Sequence, residues 1–270
     1  MIEMEWLIRF VVFVFGAIAG SFFNVCIVRM PQEKSVVWPG SHCPHCKAQI
    51  RWYDNIPFFS YIFLRGRCRD CHKVISFRYF AVEFLTAVSF LYFYLHFGLT
   101  PILIPYLVFL GGLIVATFID LEHRIIPDEI SLGGIVVGVI FSCLIPELHK
   151  DFIGTPTHLW SALRSLLGVL IGGGSIYLMG MLGDIVFKKE SMGGGDVKFL
   201  AMVGAFLGWQ LALLTFFIAP LFGAVFGIIV KIRTKESVIP YGPFLALGAV
   251  ISLFWGQAII DWIISGYQIY

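Results

Sequence analysis

Long apolar runs separated by short charged connections organise this chain. Stretches near Trp6–Val28, Tyr79–Phe97, Pro101–Ile119, Ile130–Ile145 and Leu159–Val186 each approach the roughly 20 apolar residues that cross a hydrocarbon core. The run Val197–Val230 is longer, with 34 residues interrupted only by Lys198 and Gln210. As one helix it would extend about 51 Å, too far for a single crossing. A break at Gly208-Trp209-Gln210 makes it a hairpin of two short helices, and a last run covers Phe244–Ile264. The pattern predicts an all-α polytopic membrane protein of about eight transmembrane helices.

Composition agrees. Hydrophobic side chains make up 59% of 270 residues, charged ones 13%, and the mean hydropathy is +0.88. Soluble domains carry about twice that share of charge, so a soluble globule is excluded along with disorder, collagen and coiled coil. The net charge of +2 says little by itself. The lipid bilayer is the expected partner, and no nucleic acid is.

The placement of the basic residues sets the orientation. Nine Lys/Arg lie between Arg29 and Arg78; Arg124, Lys188, Lys189, Lys231, Arg233 and Lys235 bring the total in alternate connections to 15 of 19. That one-sided distribution requires the 197–230 hairpin, and it puts the basic loops in the cytoplasm with both termini outside. The acidic start Met1-Ile-Glu-Met-Glu lacks the basic region of a cleaved signal, so the first helix is expected to stay. Gly16 and Gly20 form a small-xxx-small step for close helix packing.

Residues 1–28 thus read as a first transmembrane helix, 29–78 as a cytoplasmic tetracysteine domain, and 79–270 as a seven-helix membrane domain. The insert between helices one and two contains Cys43-Pro-His-Cys46 and, 21 residues on, Cys68-Arg-Asp-Cys71. Two C-x-x-C turns at that spacing match a four-cysteine zinc site, and a reducing cytoplasm argues against disulfides. Four reduced cysteines or a redox switch are the alternatives. His42, His45 and His72 read as spectators, and Cys26 and Cys143 as packing residues inside spans. Arg51-Trp-Tyr-Asp-Asn-Ile-Pro57, between the two turns, is either a ligand surface or a segment lying on headgroups.

An ionisable residue in a span costs ~2.5–3.5 kcal/mol on insertion scales, so each is a functional candidate. Asp120 closes the third span, in Phe118-Ile-Asp-Leu-Glu-His-Arg124, and Asp196 opens the sixth, in Met192-Gly-Gly-Gly-Asp-Val-Lys198. The orientation puts both carboxylates at the cytoplasmic face. Two close carboxylates share a proton, so one can activate water while the other donates to a scissile carbonyl. The glycines before Asp196 permit positive φ and close approach of another backbone. They also fit an ordinary flexible turn, and Asp120 fits an interfacial acid paired with Arg124. Asp128, after Pro127, reads as a helix cap.

Taken in order, these segments resemble the prepilin peptidases, or type IV leader peptidases, which are GxGD-type intramembrane aspartic proteases. The resemblance runs through Gly20-Ser-Phe-Phe-Asn-Val25, Cys43-x-x-Cys46, Trp52-Tyr-Asp-Asn-Ile-Pro57, Arg65-Gly-Arg-Cys68, Cys71, Asp120 with Ile126-Pro127-Asp128, and Met192 to Lys198. It implies an aspartic endopeptidase of the bacterial inner membrane that removes the basic leader of type IV prepilins or pseudopilins on the cytoplasmic side, with Asp120 and Asp196 as the catalytic pair. It implies also an N-methyltransferase that uses S-adenosylmethionine, although the residue spacing shows no donor-binding motif.

Two rivals remain on the residues alone. An ion-coupled transporter would place its acids near the midplane and show internal repeats. A zinc-stabilised membrane scaffold would use both aspartates as structural caps, so their replacement would alter folding rather than turnover.

Overall fold

The computed structural model describes residues 2–149, 157–188, 192–234 and 239–266. Lys189 and Lys235, which entered the charge argument, lie outside the described residues. Among those described there is no β-strand, and the helices are α1 (Ile2–Arg29), α2 (Phe59–Phe63), α3 (Phe77–Phe97), α4 (Leu103–His123), α5 (Asp128–Leu144), α6 (His158–Phe187), α7 (Gly194–Thr234) and α8 (Gly242–Gly266). Six of them are long and apolar enough to cross a membrane; α5, with 17 residues, is not among the six. The chain divides into two compact units, Met1–Val115 and Ala116–Tyr270, with the boundary inside α4.

In the first unit α1 lies antiparallel against α3. A Cβ on Gly16 would stand 2.8 Å from Ala87 Cα, and one on Gly20 would stand 2.7 Å from Glu83 Cα. The small-xxx-small step therefore serves packing, in a solvent where apolar burial alone does not draw helices together. Asn24 fastens the same pair by donating to the Tyr79 carbonyl at 2.9 Å. The insert is plugged into these helices by Phe58, whose ring meets those of Phe13, Phe80 and Phe84 at 5.8, 5.7 and 6.3 Å. Phe58 takes a left-handed φ of 63° at the head of α2, and its amide donates to Glu83 Oε2 at 3.0 Å.

In the second unit α6 and α7 cross backbone to backbone. A Cβ on Gly168 would fall 2.0 Å from the Gly204 carbonyl oxygen, and one on Gly204 equally close to that of Gly168. The predicted break is present: Gly208 has φ 79° and ψ 172° inside the 41 residues of α7. A Cβ on Gly172 would meet both the Leu200 carbonyl oxygen at 2.6 Å and Ala212 Cβ at 3.4 Å. Twelve residues of straight helix would separate those two by about 18 Å, so α7 doubles back at Gly208.

That reversal leaves carbonyls before the break without their i+4 donors. Ala205 shows how they are met: its oxygen accepts from Ser165 Oγ at 2.8 Å, more distantly from Ser142 Oγ at 3.5 Å, and from the His149 ring. Ser142, Ser165 and His149 are all buried. Farther along, Thr215 Oγ1 donates to Ser252 Oγ at 3.0 Å and ties the second half of α7 to α8.

Candidate active site and metal centre

The two Cys-x-x-Cys turns have one geometry used twice. Cys43 N–H donates to the Ala48 carbonyl and Lys47 N–H returns to Cys43; Cys68 N–H donates to the Lys73 carbonyl and His72 N–H returns to Cys68. Each turn closes on a left-handed residue, Lys47 at φ 61° and His72 at φ 56°, and isolated bridges His42–Gln49 and Arg67–Val74 flank the two turns in equivalent register. All four cysteines are free, and one ligand atom from each of Cys43, Cys46, Cys68 and Cys71 falls within 4.8 Å of the others.

Cys43 and Cys71 sulfurs are 3.8 Å apart, and those of Cys46 and Cys68 3.9 Å. Four thiolates at about 2.3 Å from a tetrahedral Zn²⁺ have edges of about 3.8 Å, whereas a disulfide needs about 2.05 Å. These residues can hold a metal ion, and the spacing suits zinc. Among the described residues no histidine joins this group; His42 Nδ1 lies 3.1 Å from the Gly40 carbonyl. A bidentate Arg69–Asp54 pair, 2.7 and 2.5 Å, holds the Trp52–Asn55 turn against the second knuckle, and keeps the Asp54 carboxyl below the usual carboxylate range.

Asp120 lies in the last turn of α4 and is only 5% exposed. Its Oδ2 accepts a hydrogen bond from the Gly242 amide at 2.8 Å. The approach depends on glycine, because a Cβ at position 242 would stand 2.8 Å from the same oxygen. Arg124 is not simply the next turn of the helix: it sits past the end of α4 at φ 57°, donating its amide to the Asp120 carbonyl. Its positive charge still acts on the Asp120 carboxyl.

Asp196 is half-buried in the first turn of α7, and its amide donates to the Gly193 carbonyl. The preceding glycines do not adopt positive φ, which among the described glycines is confined to Gly66, Gly98 and Gly208. They start the helix, and Gly195 lets it lie close to Ile126, where a Cβ would stand a tight 3.3 Å from Ile126 Cβ. The first turn of α7 is thereby seated on the segment that follows Asp120. Beside it Lys198 Nζ contacts both oxygens of Asp128 at 2.7 and 2.9 Å. Asp128 is therefore an ion-pair partner rather than the helix cap; the cap position of α5 is Pro127.

The negative charge of Asp120 acts on Asp196, and that of Asp196 acts on Tyr241. Asp120 is thus bonded to the Gly242 amide at the head of α8, and Asp196 is near enough for its charge to act on Tyr241 and for that of Asp120 to act on it. Burial, reinforced by Asp196, pushes the Tyr241 hydroxyl up to about 12, so it stays a donor; it is buried and has no hydrogen-bond partner among the described residues. Two carboxylates with unequal surroundings are the raw material of acid–base catalysis on a water molecule.

The structure brings Asp120 and Asp196 into one unit and the four cysteines into one cluster. Cys26 is buried as expected, but Cys143 is exposed on the surface of α5 rather than packed. The Tyr241-Gly242 element was not anticipated. Its only trace in the chain is Pro240-Tyr-Gly-Pro243 ahead of an apolar run, which reads as an ordinary turn.

Two family models match the chain: the bacterial peptidase A24 N-terminal domain over residues 14–97, and the type IV leader peptidase family over residues 107–228. Proteins named prepilin leader peptidase/N-methyltransferase are similar along most of their length. One from Legionella pneumophila is 34% identical, covering 98% of this chain and 97% of its own. One from Pseudomonas aeruginosa is 34% identical over 90% of this chain and 89% of its own. A leader peptide-processing enzyme of type 4 prepilin-like proteins from Escherichia coli is 35% identical over 88% and 91%. No solved structure matches.

Proposed function

Because this chain belongs to the type IV leader peptidase family, we propose that it is an intramembrane aspartic endopeptidase that removes the short basic leader of type IV prepilins or pseudopilins. In this reading Asp120 and Asp196 are the catalytic pair, and the bond is cut at the cytoplasmic face of the bacterial inner membrane. The chain crosses the bilayer eight times, counting α5 and both halves of α7, with both termini outside. The same enzyme methylates the new amino terminus; S-adenosylmethionine supplies the methyl group, and no residue of this chain is assigned to it. Residues 29–78 form a cytoplasmic tetracysteine domain between a first helix, 1–28, and a membrane domain, 79–270. Cys43, Cys46, Cys68 and Cys71 hold a structural zinc, which orders a loop too small for a large core of its own.

The observation that supports the peptidase reading is a buried Asp120 bonded to the Gly242 amide with Asp196 near enough for the two carboxyl charges to act on each other. Hydrolysis needs one carboxylate to take a proton from water and one carboxylic acid to give a proton to the scissile carbonyl oxygen. A substrate whose apolar helix lies in the bilayer and whose basic leader lies in the cytoplasm presents its cut site at that depth.

The test is mass spectrometry of a type IV prepilin incubated in liposomes with the wild type, Asp120→Asn or Asp196→Asn, each with and without S-adenosylmethionine. Loss of the leader with the wild type alone is the expected result, together with the added mass of one methyl group when the donor is present. Cleavage without that added mass removes the methyltransferase. Cleavage by folded Asn variants removes the two-aspartate mechanism.

A further inference from the structure

We propose that Gly242 is a positioning residue that divides the labour of the two aspartates: its amide holds Asp120 as the carboxylate that acts as general base, leaving Asp196 to carry the proton as general acid. The inference rests on the peptidase reading above and goes beyond it by assigning the roles. Three observations favour this direction. The Gly242 amide donates to Asp120 Oδ2 at 2.8 Å from the start of a 25-residue helix, where the unpaired amides and the macrodipole favour negative charge. The Arg124 charge acts on Asp120 as well. On the other side, the lysine nearest Asp196 in sequence, Lys198, is committed to Asp128, while the charge acting on Asp196 is the negative one of Asp120.

Asp196 also stands in the first turn of a helix and its carboxyl also takes a backbone hydrogen bond, from Gly193, so neither the macrodipole nor the presence of an amide donor alone separates the two. The difference lies in the cation beside Asp120 and in the donor from a separate helix. The charged groups acting around the pair are Arg124 on Asp120, Asp120 on Asp196 and Asp196 on Tyr241, with the Lys198–Asp128 pair alongside α7.

In the forward step Asp120 takes a proton from water as the water oxygen bonds to the scissile carbon. Asp196 gives its proton to the carbonyl oxygen, producing a neutral tetrahedral diol. On collapse the carbon–nitrogen bond breaks, the proton held by Asp120 passes to the leaving nitrogen, and a diol hydroxyl returns its proton to Asp196. The pair is restored for the next substrate.

The experiment records kcat and KM for prepilin cleavage against pH. It compares the wild type, Gly242→Ala, Asp120→Asn, Asp196→Asn and Gly133→Ala, where a Cβ meets nothing within 4 Å. The methyl group added by Gly242→Ala displaces the Asp120 oxygen, so kcat is expected to fall about ten- to a hundred-fold with KM nearly unchanged, the scale of a lost hydrogen bond to a charged group. The acidic limb of the kcat/KM profile, which reports the base, moves up by about one pH unit while the alkaline limb stays. Gly133→Ala behaves as wild type. A Gly242→Ala enzyme with unchanged rate and limbs, or with only the alkaline limb displaced, overturns the assignment while inert Asn variants leave the peptidase reading standing. Cleavage by either Asn variant sinks that reading itself, and the assignment with it. Should Gly242→Ala not fold, Arg124→Gln decides: an acidic limb moved upward and restored by Arg124→Lys supports the assignment, and an unmoved limb overturns it.

Discussion

His149 Nε2 lies 3.0 Å from Ser142 Oγ, and the same ring donates to the Ala205 carbonyl that the break in α7 leaves without a helical donor. A Cβ on Gly208 would stand 3.3 Å from His149 Nδ1, so the ring is fitted against the reversal of the chain. Burial, with the charge of Arg164 and against the pull of the Ala205 bond, lowers this imidazole to about 4. An unfolded histidine protonates near 6.5, so the unfolded chain takes up a proton that the folded one refuses between those values. Stability from this group is complete above about pH 6.5 and is lost as pH falls toward 4, amounting to roughly 3 kcal/mol in full. Thermal unfolding in detergent is expected to show a falling midpoint from pH 7 to pH 5 for the wild type. His149→Gln is expected to start lower at pH 7 and to change less with pH.

The metal centre predicts one ion per chain. Metal analysis of purified protein should give a stoichiometry near one zinc, dropping to near zero in a Cys43→Ser, Cys68→Ser double variant. Because the knuckles contain little apolar core, chelation is expected to expose residues 29–78 to protease while helices α5 to α8 stay protected. Full protection of the insert after chelation would show that the metal does not order it.

Gly168 and Gly204 should tolerate no side chain. Either Gly→Ala change puts a methyl 2.0 Å from a backbone oxygen of the facing helix. Neither helix can yield without disturbing its neighbours, so each variant is expected to lose about 3 kcal/mol or more, at or above the usual ~1–3 kcal/mol range for overpacking. Unfolding monitored by denaturant or heat checks this, with Gly133→Ala as the unstrained comparison.

The Tyr241 hydroxyl is buried without a partner among the described residues. A buried unpaired polar group costs about 1–3 kcal/mol, so Tyr241→Phe is expected to raise the unfolding midpoint. A lower midpoint would show that the hydroxyl is bonded in the membrane-embedded protein.

Much of this molecule was legible because its signals are local. Apolar runs of membrane-spanning length announce helices, since a helix satisfies its own backbone in lipid. The length of 197–230 required a break, and Gly208, free of a Cβ, is where φ reaches 79°. The cysteine spacing announced two knuckles because each is closed by hydrogen bonds within a few residues. Other features were opaque for the opposite reason. Asp128 has the neighbours of a helix cap, yet its partner is Lys198, 70 positions away. Nothing near Ser142, Ser165 or His149 in the chain explains why they are buried; Ala205 does, and only after α7 has turned back.

By itself, then, the sequence determined the class of protein, six apolar spans, a cluster of four cysteines able to hold a metal and the candidates for the acid pair, all of which follow from composition and short-range spacing. Tertiary structure alone decided which donors surround those acids. Asp120 and Gly242 are 122 residues apart, and a 2.8 Å bond between them depends on how α4, α7 and α8 pack, a property that no local pattern encodes.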